Sequence, residues 1–343
     1  MSDYFDRVER QIVTRVEAGV PRASRLQDAF GHLYMAAAVL VVIVVAGVFL
    51  VARGAGGGSP APSANAGASV TFNAAPGASI RDIDRSAAIL AARLHGSVPS
   101  ARVSSTDGRI VVSVANPRAG VRSQIIALAA PGRLAFYDWE SDAITPNGKT
   151  VASQLQAQDP VALKISQGKG AIEPGGTGAG SVSRREALAL ASKRPGFVVL
   201  RAESAGPGPA GQSHQFYVLR NVPAVSNSAI INPHANPDPN TGTPGVVFGF
   251  TPSGRGAFEA LTAAVARRGQ VVGSLGEALN QHFAIAVDNV LLSVPFIDYK
   301  QFPDGITGDN GADVFGSFTT QSAKTLATVL RYGPLPVNLT ATG

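Results

Sequence analysis

The chain has 343 residues, no cysteine and a formal net charge of +6. Disulfides, cysteine-held metals and thiol nucleophiles are therefore excluded, and any folded part must be held by packing. The basic residues are scattered, with no Lys/Arg run, which argues against a nucleic-acid footprint.

The first 32 residues place Phe5, Val8, Ile12 and Val16 at helical spacing with charges between them. This predicts a short amphipathic cytoplasmic tail, either resting against a membrane or docking a partner. Residues 33–52 (LYMAAAVLVVIVVAGVFLVA) are apolar throughout and long enough to cross a bilayer as a helix. Arg7, Arg10, Arg15, Arg22 and Arg25 precede this run, and after Arg53 no basic residue occurs until Arg81. That asymmetry places the N-terminus in the cytoplasm and the rest outside. A cleaved signal peptide would have a shorter apolar region. Ala64-Asn65-Ala66 resembles a cleavage site but lies well beyond the run, so an uncleaved single-pass anchor is favoured. Residues 53–78, rich in Gly, Ala, Ser and Pro, read as a flexible tether.

The folded region opens with a helix whose apolar face is Ile80, Ile83, Ala87, Ile89, Leu90 and Leu94. Two strands follow around Asp107-Gly108, a hairpin signal. Val121, Ile125, Ile126 and Leu128 mark a second helix, and GRLAFYDWE a third strand. Further on, GVVFGFT runs into Thr251-Pro252, suited to N-cap and first helical position. HFAIAVDNVLLSVPFI reads as a hairpin turning at Asp288-Asn289, ADVFGSFT as a strand, and Thr319 as the cap of a last helix ending before Gly333. GFTPSGRGAFEAL and SFTTQSAKTLATVL echo one another as strand-then-helix units. That weak repeat predicts an α+β fold with a ferredoxin-like base. Residues 79–140 and 216–339 are assigned to this base, with 340–343 as a short tail. Residues 141–215, part loop and part periodic with a helix capped by Ser183, read as an inserted head-like subdomain.

Four stretches, in order, resemble the first periplasmic domain of SecD, a subunit of the bacterial Sec preprotein translocase. They are DRSAAILAARLHG with DGRIVVSV, then TPGVVFGFTPSGRGAFEALT, then FAIAVDNVLLSVPFI, with Asn289 where Gly is usual, and then FGSFTTQSAKTLATVLRYGPLPVNL. The last is the most specific, and 141–215 matches least. The resemblance implies a role in protein export, with unfolded polypeptide as client and Sec components as possible partners. It also implies a membrane bundle carrying the proton-coupled motor. No second apolar span occurs in this sequence, so independent proton-driven work is not expected. An envelope structural or interaction protein reusing the fold is the competing reading.

Enzymatic motifs are not evident. His32, His95, His214, His234 and His282 show no helical metal pairing, and no Gly-x-Ser-x-Gly elbow occurs. His234 with Asp238 could form an oxygen-rich metal corner, but a solvated turn kept open by proline is the simpler reading. The Gly-rich stretches lack phosphate-loop context. Asp107 and Asp288 read as turn residues. Asp138 and Glu140, flanking Trp139, share a strand face, and a rim near a hinge is a simpler reading than an acid–base pair. No catalytic residue, cofactor or metal is expected. Exposed apolar surface could hold polypeptide, and Tyr137, Trp139, Phe197 and Phe216 are the candidates, with burial in a core as the alternative.

Overall fold

The structure, a computed structural model, describes residues 67–145, 147–157, 182–202, 215–273, 280–315 and 318–342. The expected tail, the span at 33–52 and the tether up to residue 66 lie outside the described residues, as do both Gly-rich loops and His214. Among the described residues, no helix is long and apolar enough to cross a membrane.

Residues 68–74 form a strand, β1 (Ala68–Ala74), although their Gly/Ala/Ser-rich surroundings read as tether. Val70 and Phe72 alternate inward and are completely shielded. Helix α1 (Ile80–His95) starts where the Ser79 hydroxyl accepts the Asp82 amide. Its buried face is Ile83, Ala87, Leu90 and Leu94, whereas Ile80 is 79% exposed. Ile80 is the first helical residue, before the apolar face turns onto the sheet. Strands β2 (Ala101–Thr106) and β3 (Arg109–Val114) pair around Asp107 and Gly108. Both turn residues have positive φ, 49° and 78°, as the expected two-residue turn requires. Helix α2 (Val121–Leu128) and strand β4 (Leu134–Asp138) follow.

The strand expected through Glu140 breaks at Asp138, whose carboxylate caps the one-turn helix α3 (Trp139–Asp142). Next come β5 (Ala143–Ile144), α4 (Val151–Gln156) and α5 (Arg184–Ser192), the last with a Ser183–Glu186 capping box. Strands β6 (Phe197–Ala202) and β7 (Gln215–Arg220) are laddered along their whole length. Then come β8 (Val225–Ser226), β9 (Ile230–Pro237) and β10 (Pro244–Phe250). In α6 (Pro252–Gly273) the Thr251 hydroxyl accepts the Gly254 amide at 3.0 Å. A Cβ at Gly254 would stand 2.1 Å from the Ala229 carbonyl oxygen, so only glycine permits this approach.

Strand β11 (Gln281–Val287) is buried throughout and turns at Asp288-Asn289 into β12 (Val290–Ser293). After β13 (Phe296–Ile297) and β14 (Ala312–Phe315), Thr319 caps α7 (Thr320–Tyr332). The Pro-rich stretch then runs into β15 (Leu339–Thr342). Residues 340–342, expected as part of a tail, continue with Leu339 as a strand on β1, paired from Thr71↔Thr342 to Ala74↔Leu339.

Among the described residues the strands form three sheets. One has the order β15-β1-β3-β2, one β14-β10-β9, and the largest β5-β7-β6-β12-β11-β4-β8 with β13 on β11. The β10–α6 and β14–α7 units echo each other as the sequence repeat suggests, and their strands are antiparallel neighbours. Strand β4 divides two cores. Leu134 and Phe136 face one with Phe248, Phe250, Phe258 and Phe283. Tyr137 faces the other with Trp139, Leu200, Tyr217 and Leu219.

Candidate functional site

A groove of about 700 Å³ opens on the second face of β4. Ala135 and Ala286, cross-strand partners in the β4–β11 ladder, form part of its lining. Val198 on β6 lines it opposite, with Asn221 and Pro223 after β7, and Asn227 and Asn289 further along. The space exists because two alanines stand where larger side chains would fill the gap. Arg133 is the single charged side chain in the lining among the described residues.

One end of the groove is pinned by a polar hub. The Asp288 carboxylate accepts the Gly132 and Arg133 amides at 2.9 and 2.8 Å. The Asn227 side chain accepts the Leu134 amide and donates to the Gly132 carbonyl. Arg93, fully buried, donates to the carbonyls of Leu128, Ala130, Pro131 and Gly333. Burial lowers its pKa to about 10, with Asp288 opposing. Gly132 makes the hub possible: its φ is +79°, and a Cβ there would stand 2.4 Å from Val329. Asp288 is thus the turn residue the sequence suggests, and also a cap for another chain segment.

Beyond Tyr137 lies a second polar cluster. Arg268 on α6 grips Asp138 through both terminal nitrogens, at 2.9 and 2.5 Å, and lies 3.6 Å from Glu140. Glu140, wholly buried, accepts the His282 amide at 2.9 Å and meets its Nδ1 at 2.7 Å. Asp142 faces Arg220 Nε at 3.3 Å. Burial pushes the Asp142 carboxyl up to about 6, aided by Asp138. Burial also raises Asp138, against the pull of Arg268. This corrects the rim reading of Asp138 and Glu140: α3 turns Glu140 inward, where it ties α3 to β11. Neither carboxylate, nor Asp142 nor His282, lines the groove. Their arrangement joins helix α6 and strands β7 and β11 to α3.

The four candidate side chains are not brought together. Tyr137 is 3% exposed; it borders the groove with its hydroxyl 3.2 Å from the Asn221 side-chain oxygen. Trp139 is 1% exposed and packs edge-on to Tyr217, so it offers no surface. Phe197 and Phe216 are half-buried on the opposite face of the β6–β7 ladder, toward α5. The residues missed are Ala135, Val198, Asn221, Asn227 and Ala286. Asn289 had one signal, its place where the resembling family carries Gly. Among the described residues no group of three or more His, Asp or Glu side chains is placed to hold a metal ion. Asp238 accepts the Asn240 and Thr241 amides as a turn cap, and His234 is exposed.

Fold and groove together define a mixed α+β domain with a small-residue cleft beside its largest sheet. Residues 202–337 match the family model of the SecDF P1 head subdomain. That stretch overlaps the expected inserted head only at 202–215, and otherwise covers residues assigned to the base. A SecD protein translocase subunit from Rhodobacter capsulatus is 33% identical over 125 residues, 36% of this chain. The chain corresponds to about a fifth of that relative's length, 19%. SecDF in its super-membrane-facing form is similar at a TM-score of 0.49 and 20% identity, over 82% of this chain and 30% of that one. A membrane component SecDF that enhances protein export is similar at 0.47 and 18%, over 80% and 98%. The family and relative matches support a domain of the SecD periplasmic P1 type in this chain.

Proposed function

We propose that this chain presents a SecD-type domain outside the cytoplasm, where it holds emerging or unfolded polypeptide as an accessory to protein export. In this reading residues 33–52 are the membrane anchor, and a ferredoxin-like base carries an inserted lobe, residues 141–215, that includes β6. The chain performs no enzymatic step and no proton-driven work of its own, and Sec components are its docking partners. The groove carries this reading: a cleft of about 700 Å³ with alanine methyls on one wall, flanked by asparagine amides. Such a surface suits side chains of varied sequence beside a backbone that needs hydrogen bonds. The translocation role of the similar SecD subunit supplies the export context.

The test is a photo-crosslinker at Val222, which is 61% exposed and stands between two lining residues. A matched crosslinker at Leu188, 50% exposed on α5, serves as control. During active export, adducts with secreted chains should form at Val222 and be scarce at Leu188. Equal or absent labelling at Val222 while secretion proceeds would refute the holding role.

A further inference from the structure

Strand β6 is laddered by β7 from Phe197↔Arg220 to Ala202↔Gln215. Its other side meets β12 at a single pair, Val290↔Arg201, where the Arg201 amide donates to the Asn289 carbonyl at 2.8 Å. Backbone groups of successive strand residues point to alternate sides. Arg201 points away from β7, and therefore so do Val199 and Phe197. The Asn221 amide donates to the Gly196 carbonyl at 2.7 Å, which fits the even-numbered residues serving β7. Chain reversal at Asp288-Asn289 ends the β12 ladder before it reaches Val199. Among the described residues, no backbone group pairs with the outward amides and carbonyls of Phe197 and Val199. Val198, between these two residues, and Asn289, at the turn, both line the groove. One wall of the groove is therefore an open strand edge.

We infer that polypeptide occupies the groove as an extended strand adding to β6, paired with Phe197 and Val199 where β12 would continue. The inference rests on the reading of the groove as a polypeptide site and specifies how the chain is held. An open edge with unpaired amides and carbonyls is a template for main-chain pairing whatever the side chains. Ala135 and Ala286 leave space for alternate side chains of the added strand. Arg133 is charged and, among the described residues, no carboxylate lines the groove, so a segment carrying an acidic residue is the favoured occupant.

The probe is a capped nonapeptide alternating Thr and Val with a central Glu, added to the full-length protein in detergent. Its binding is followed by fluorescence anisotropy, and residue-resolved amide hydrogen exchange is followed in parallel. At saturation the Val199 amide should exchange about ten-fold more slowly, while Val198 and Leu200, already bonded to β7, stay unchanged. N-methylation of alternate peptide amides should weaken binding about ten-fold. If the peptide binds but Val199 exchange and the N-methylated peptide's affinity are unaltered, strand addition is overturned and the holding role survives. If neither peptide binds at millimolar concentration, the holding role falls and strand addition falls with it.

Discussion

The two faces of β4 are built to opposite ends. Phe136 points into a core where it stacks on Phe283 at 6.0 Å and meets Phe248 and Phe258 edge-on, each at 6.3 Å. One residue earlier, Ala135 points into open space beside Ala286. The strand has one backbone geometry, so only side-chain volume separates a filled interior from a groove. Aromatic packing fills the Phe136 face, whereas on the other face a core around Tyr137 and Trp139 lies beside a groove lined by the alanines. A cleft lined by large residues would have collapsed or needed support from elsewhere.

Substitutions at the two faces sharpen that contrast. Phe136→Ala should destabilise the protein most, by about 3–5 kcal/mol, read as a lower denaturant midpoint. Arg268→Ala, which strands Asp138 and Glu140 without their cation, should lower stability by about 3 kcal/mol in the same assay. Asp142 gives a smaller effect that depends on pH. Its carboxyl rises from 3.8 to about 6 on folding. An acid raised in this way favours its protonated form in the folded state. Its penalty is therefore absent below about pH 3.8 and develops as the pH rises through about 6. Asp142→Asn should flatten that decline in thermal midpoint between pH 4 and 7. An unchanged pH profile would show that Arg220 compensates the charge fully. Ala135→Leu should alter stability least, by less than about 1 kcal/mol, since space is available. It should nonetheless reduce binding of the Thr/Val nonapeptide about ten-fold. If Ala135→Leu were as damaging as Phe136→Ala, the two faces would not differ in the way the packing indicates.

Local chemistry was legible wherever a short stretch decides its own conformation. Asp107-Gly108 and Asp288-Asn289 turn where expected, and Ser183, Thr251 and Thr319 cap the helices they precede. Pairings between distant segments were not legible. The alternating Val70 and Phe72 of β1 lie in a stretch whose composition resembles a linker, and β15 is recognisable only once β1 is known as its partner. Trp139 and Tyr137 showed the limit of composition: aromatics beside a hinge are equally consistent with surface and core, and both side chains proved to be buried. The groove was not legible because it is made of small residues and a backbone edge contributed by five separate segments.

The β1–β15 ladder sets Thr71 opposite Thr342 and Ala74 opposite Leu339, so the chain arrives and departs by adjacent antiparallel strands. Both threads therefore leave from the same corner, and the domain behaves as a cassette that a host loop could carry with little spacing between its insertion points. A circular permutant that joins Thr342 to Ala68 through a few glycines and opens at Asp107-Gly108 should retain the fold.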